Sequence, residues 1–299
     1  MSSISRRDFI GQSVSRLAPL LTLPTFATRS GRKFKMGLQL FTVREPMETD
    51  LKGTIKKIQK IGYEDLETYG FDPEGVKFYG MKARDFRQFL GDHQLTTSSG
   101  HYDLFKFFDK PVDELLRYVD QCIEGASAVG HRYITWPWLT PESRAIEKFG
   151  PLAERLNVIG ERVARAGLGF AYHNHDFEFT DHDGRTGYEI IMRETDPDLV
   201  KLQIDLYWVM HSARFTPAQL FDRQPGRFVM WHIKDMDKSS RDYTELGNGS
   251  IDYASILPLA PRAGMELFFL EQGGNFAVTP MQSIEDSARF FKSKLEKFL

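Results

Sequence analysis

From Lys33 onward the chain alternates short apolar runs with longer segments whose apolar residues recur at helical spacing. The short runs cover residues 34–41, 63–68, 95–101, 132–136, 168–174, 199–205, 228–234 and 265–271, and read as strands. Between them, Leu51, Ile55 and Ile58 mark one face of a helix over 51–61 that stops at Gly62. The same signal predicts helices over 112–129 before Gly130, 152–166 before Gly167 and 253–263 before Gly264. Pro280 followed by residues 284–299 predicts a closing helix.

Eight strand–helix units in a chain of this size predict an α/β fold, a (β/α)8 TIM barrel forming a single domain over 31–299. A doubly wound open sheet is the competing architecture. It calls for a Gly-rich phosphate loop after the first strand, where Gln39-Leu-Phe-Thr-Val-Arg44 stands instead. No low-complexity linker or change of composition divides the chain.

A barrel gives meaning to strand ends, because functional groups project inward at the C-terminal rim. Side chains alternate with a period of two. His173 and His175 therefore point the same way, as do His232 and Lys234. In 199–205, Val200, Leu202 and Ile204 face the helices, leaving Gln203 and Asp205 inside. Leu66 faces out and Glu67 in; Leu38 and Leu40 face out, leaving Gly37 and Gln39 in; Thr97, Ser99 and His101 share a face. The inward rim set is Gln39, Glu67, His101, His173, His175, Asp205, His232, Lys234 and Glu271. Burying such groups unpaired costs roughly 2–7 kcal/mol each, which a metal ion would resolve. Gln39 and Glu67 are expected to bind substrate, with a plain solvated rim position as the alternative. His93, His131, His182 and His211 fall in helices, turns or strand starts and read as structural.

Composition narrows the function classes. A net charge of −2 lacks the strongly basic balance of a nucleic-acid binder, so none is expected as a partner. The single Cys122 excludes an internal disulfide framework and reads as a small buried hydrophobe. No run approaches the roughly 18 apolar residues of a membrane span. A homo-oligomer is compatible with the chain. Ser5-Arg6-Arg7-Asp8-Phe9-Ile10 resembles a twin-arginine export signal, followed by an apolar stretch over 17–23 and the small-residue site Thr25-Phe26-Ala27. Residues 1–30 are set apart as export signal and leader, with a periplasmic location expected. A basic, disordered N-terminus is the alternative.

At Asp205, His232-Ile-Lys-Asp235 and Glu271 the chain resembles the xylose isomerase-like barrels, usually labelled sugar phosphate isomerase/epimerase. Inosose dehydratases, ketose 3-epimerases and endonuclease IV share that superfamily. Met36-Gly-Leu-Gln-Leu-Phe-Thr-Val-Arg44, Ile204-Asp-Leu-Tyr-Trp208 and Leu246-Gly-Asn-Gly-Ser-Ile-Asp252 carry the resemblance further, over essentially everything after Lys33. It implies one divalent metal ion with four ligands, Asp205, His232, Glu271 and, at the strand-five position, His173. The expected ion is Mn or Zn, given two imidazoles, with Co and Mg as the other members of the family's range. Epimerases of this family usually carry a glutamate where His173 stands. The two-carboxylate exchange of protons between the faces of a sugar carbon then lacks one partner.

The resemblance implies an enzyme that abstracts a proton beside a sugar carbonyl through a metal-stabilised enediolate. Glu271 or a nearby histidine, His175 or His101, is expected as base; a rim histidine or Lys234 neutralises charge or acts as acid. Reprotonation gives isomerisation or epimerisation; loss of a β-substituent gives elimination, as in dehydratases and 3-keto-glycoside lyases. The substrate expected is a small carbohydrate. A repair nuclease and a non-catalytic carbohydrate-binding barrel are the readings from other classes.

Overall fold

The alternating parity of the apolar runs closes into a cylinder. The structure, a computed structural model, describes residues 34–299; the export signal and leader expected over 1–30 lie outside the described residues. Eight parallel strands form a closed barrel in chain order. They are β1 (Gly37–Gln39), β2 (Asp65–Thr68), β3 (Thr96–His101), β4 (Tyr133–Trp136), β5 (Gly169–His173), β6 (Lys201–Asp205), β7 (Met230–Ile233) and β8 (Leu267–Leu270). Gly37 pairs with Asp65 on one side and Phe269 on the other, so the sheet has no free edge and the open-sheet alternative falls. Phe34–Leu299 forms one compact unit. Among the described residues no helix is long and apolar enough to cross a membrane.

Outward side chains of the strands, among them Leu38, Leu66, Ile134, Tyr172, Ile204, Trp231 and Leu270, are buried under the helices in one continuous core. Inward apolar residues form a separate cluster of Tyr133, Ala171, Met230 and Phe269 that fills the lower barrel. Gly37 makes room for it: a Cβ there would lie 2.3 Å from the Phe268 carbonyl oxygen and 2.5 Å from the Phe269 ring.

Surrounding helices are α1 (Arg44–Ile61), α2 (Ala83–Asp92), α3 (Val112–Val129), α4 (Phe149–Arg165), α5 (Gly187–Glu194), α6 (Leu206–Ser212), α7 (Pro217–Arg223) and α8 (Pro280–Phe290). The helix expected over 112–129 is observed unchanged. The one expected from Leu51 is the second half of α1, which breaks at Asp50 (φ −149°) where the Asp50 carboxylate accepts the Gly53 amide. Gly62 ends α1 at φ +99°, a left-handed position that glycine reaches without strain. Residues 253–263 form three short turns instead of one helix, because Pro258 and Pro261 remove amide donors. The closing helix starts earlier than expected, at Pro280, and ends in a wider π-type turn over Phe291–Leu295. The sequence reading missed α2, α5, α6 and α7.

Thr97 requires a correction. Pairing steps from Leu66↔Thr97 to Glu67↔Ser99, so Ser98 is an extra residue in a bulge. Thr97 therefore turns to the helix side, 3.0 Å from His131 Nε2, while Ser99 and His101 face inward. His131 is structural, packed between Phe78 and Tyr102.

Candidate functional site

The strand ends that carry the rim residues are held by local hydrogen bonds. Asp205 ends β6 and caps α6, its Oδ1 accepting the Trp208 amide at 3.1 Å, which leaves Oδ2 to face the barrel mouth. Asn174, next after β5, accepts the Asp205 amide at 3.0 Å and donates to its carbonyl oxygen at 3.4 Å, tying the ends of β5 and β6 together. The Tyr253 hydroxyl donates to the Lys234 carbonyl oxygen at 2.6 Å, fixing the end of β7. Asp235 accepts the amides of Gly247, Gly249 and Ile251 at 2.9, 3.1 and 3.2 Å, so the loop after β7 folds around that carboxylate.

These ends bring Asp205, His232 and Glu271 into one group, with ligand-type atoms within 4.8 Å of one another. His232 Nδ1 lies 2.7 Å from Glu271 Oε2 and 3.9 Å from Asp205 Oδ2. Lys234 Nζ lies 2.7 Å from both Asp205 Oδ2 and Glu271 Oε2, a cation already placed between two carboxylates. His101, His173 and His232 form a second such group. His173 Nε2 stands 3.7 Å from Asp205 Oδ2, beside the first group. His175 follows outward, its ring 5.0 Å from that of His173.

Electrostatics sort these groups by charge. Burial pushes Glu271 up, but Lys234 and His232 outweigh it and hold the carboxyl well below the usual range. Burial pushes Asp205 up, opposed by Lys234. Burial lowers His232, yet Glu67 and Glu271 raise it to about 10. Burial holds His173 and His175 neutral, well below the ordinary histidine value.

Glu67 and Gln39, expected to meet substrate, sit instead one layer down. Both are fully buried, and Glu67 accepts from Gln39 Nε2 at 2.7 Å, Ser99 at 2.7 Å, Gln203 at 2.6 Å and His232 Nε2 at 2.5 Å. His101 Nε2 meets Gln203 Oε1 at 2.7 Å. Above the cluster opens a cavity of about 820 Å³, lined by His101, His173, His175, Lys234 and Glu271 and by an aromatic wall that includes Phe41, Trp138, Phe177 and Trp208. Arg144 lies on that wall, its guanidinium 4.3 Å from the Trp138 ring centroid and 4.0 Å from that of Phe177.

A family model described as "Xylose isomerase-like TIM barrel" matches residues 55–294. The chain belongs to the xylose isomerase-like TIM barrel family. Among solved structures, a sugar phosphate isomerase/epimerase from Parabacteroides distasonis is 24% identical with a TM-score of 0.77, over 90% of this chain and 97% of that one. The IOLI protein with a binding zinc atom is 17% identical (TM-score 0.68, 89% and 99% covered). An L-ribulose 3-epimerase is 16% identical (TM-score 0.69, 89% and 95% covered). No curated protein matches.

In this xylose isomerase-like barrel the residues fit a divalent cation. Lys234 marks the cation position between Asp205 and Glu271, and the buried His173 Nδ1 has no hydrogen-bond partner. The donor set of imidazole nitrogens and carboxylates suits Zn or Mn. Asp205, His232 and Glu271 would hold the ion, with His173 alongside. The sequence reading missed the cavity wall of Trp138, Arg144 and Phe177. Its signal was present in Trp136-Pro-Trp138, directly after a strand end, and in the aromatic pair flanking Glu178.

Proposed function

We propose that this chain is a metal-dependent sugar-active enzyme that abstracts a proton beside a sugar carbonyl, with β-elimination the outcome its residues favour. The observation that carries the reading is the buried Asp205–His232–Glu271 group at the ends of three neighbouring strands, opening into an aromatic-lined cavity. Its volume of about 820 Å³ falls in the upper part of the roughly 300–1,000 Å³ range of ligand clefts, and aromatic faces suit the apolar face of a sugar ring.

A divalent ion at this group supplies Lewis-acid stabilisation of the charge that develops on the carbonyl oxygen. The residues do the rest. His175 is neutral, lines the cavity and has an unpartnered Nδ1, which suits a base. Glu271 is ionised and offers a second. Lys234, paired with both carboxylates and raised well above its ordinary value, balances charge and is a poor proton donor.

In elimination the base takes the α-proton and the C–H electron pair moves toward the carbonyl. As the carbonyl re-forms, the C–O bond to the β-substituent breaks and the protonated His175 returns its proton to the leaving oxygen. One base suffices, which matches a strand-five position held by the neutral His173 rather than a second carboxylate. Export through Arg6-Arg7 belongs to this reading and would place the substrate outside the cytoplasm.

The test is to incubate Zn- or Mn-loaded protein with ordinary glycosides, 3-keto-glycosides and free ketoses, followed by mass spectrometry. Aglycone release supports elimination. Unchanged mass with a shifted retention time would replace it with isomerisation or epimerisation. No turnover of any member, with a stoichiometric ion bound, would leave the binding-barrel reading in its place.

A further inference from the structure

We propose that Glu67 is a positioning residue: it fixes the ring-nitrogen roles of His101 and His232 and so selects Asp205, His232 and Glu271, rather than the three histidines, as the metal set. This inference rests on the metal-dependent reading above. The two candidate groups share His232, so the two sets compete for its ring.

The network beneath the site decides the matter by donor and acceptor count. Glu67 is met by four side-chain groups, two on each carboxylate oxygen, and so acts as an acceptor only. Oε1 takes Ser99 Oγ and Gln203 Nε2; Oε2 takes Gln39 Nε2 and His232 Nε2, with His101 Nε2 3.3 Å away. Because Gln203 Nε2 donates to the Glu67 carboxylate and toward Met230 Sδ, its oxygen must accept on the other side, and what reaches it is His101 Nε2 at 2.7 Å. His101 Nε2 therefore carries a hydrogen. Gln39 is oriented by the same logic, and its oxygen accepts the Phe41 amide at 3.1 Å, an independent check on the direction of the network.

His232 Nε2 faces the carboxylate at 2.5 Å and carries a hydrogen as well. That leaves Nδ1 as the ligand atom, and Nδ1 faces Glu271 and Asp205. A three-histidine set would have to do without the Nε2 atoms of both His101 and His232. The arrangement is a carboxylate–histidine–metal relay in which Glu67 supplies the carboxylate. One side chain thus acts on two histidines, on His232 at 2.5 Å and on His101 both directly at 3.3 Å and through Gln203.

The test uses Zn(II) and needs no sugar. In the wild-type protein saturated with Zn(II), ¹⁵N-resolved imidazole spectra are expected to show His232 metallated at Nδ1 with a hydrogen on Nε2, and His101 with a hydrogen on Nε2. Metallation of His232 at Nε2, or of His101 at all, overturns the proposal without any variant. Glu67→Gln, checked for folding by circular dichroism, is expected to weaken Zn(II) by about 10–100-fold in a calorimetric titration and to disturb the His232 nitrogen pattern. Wild-type affinity and an unchanged pattern in that variant overturn it too. A wild-type protein that binds no Zn(II) or Mn(II) removes the functional reading and this inference together, whereas a metal bound equally by both proteins removes only the role of Glu67.

Discussion

Asp205, Glu271 and the two histidines of His173-Asn-His175 give the most direct residue-scale expectations. Asp205→Asn or Glu271→Gln is expected to abolish Zn(II) binding and turnover together, measured by calorimetry and by product formation. His175→Ala is expected to keep the ion and lose about 10²–10⁴-fold in turnover, the usual contribution of a general base. Loss of the ion in His175→Ala with retention in His173→Ala would invert the order of the two positions.

The buried Glu67–His232 pair predicts a pH dependence for the metal-free protein. His232 is raised from 6.5 to about 10, so its stabilising contribution is complete below pH 6.5 and lost as pH rises through about 10. Glu67 is lowered from 4.5 to about 2, so its contribution is complete above pH 4.5 and lost as pH falls through about 2. Thermal scans should give the highest Tm between those windows. A Tm that stays flat from pH 6.5 to 10 would contradict the pairing.

At the scale of elements, the barrel depends on how little space its inner face leaves. Gly37 lies against Phe268 and Phe269 with no room for a methyl group. Gly37→Ala is expected to destabilise by about 1–3 kcal/mol as an overpacked site, read from a denaturant midpoint; an unchanged midpoint would mean that β1 and β8 can shift apart. The strands were legible because β6 alternates up to Asp205, while β7 and β8 are short apolar runs with His232 inside the one and Glu271 directly after the other. Strand β3 was less so, since a bulge at Ser98 reverses the parity of Thr97 and leaves no mark in the sequence pattern. Short α6 was hidden because it begins at Asp205 itself, a residue that serves both as helix cap and as rim group.

For the whole molecule, an ion that binds the folded barrel and not the open chain must stabilise it. Removal of the metal by a chelator is expected to lower the Tm and abolish turnover, both restored by Zn(II) or Mn(II); a Tm indifferent to metal would argue against a site inside the barrel. The export reading predicts that replacing Arg6 and Arg7 with lysine moves the protein from a periplasmic to a cytoplasmic fraction. A wild type found only in the cytoplasm contradicts it.

The sequence by itself determined the barrel and the rim. Period-two alternation, helical spacing and glycine stops are local properties, and eight repeats of them admit few closed architectures. It also marked Asp205 and Glu271, which end apolar runs, and His232, which lies on the same face as Lys234 at the end of another. Only the tertiary structure decided that Glu67 and Gln39 lie under the cluster and not at its mouth, that Lys234 bridges the two carboxylates, and that Trp138, Arg144 and Phe177 build the cavity wall. The reason is physical: strand parity fixes which way a side chain points, but its depth in the barrel depends on the stagger between strands distant in sequence. Glu67 gathers partners from 28 to 165 residues away, a set of contacts that exists only once the cylinder has closed.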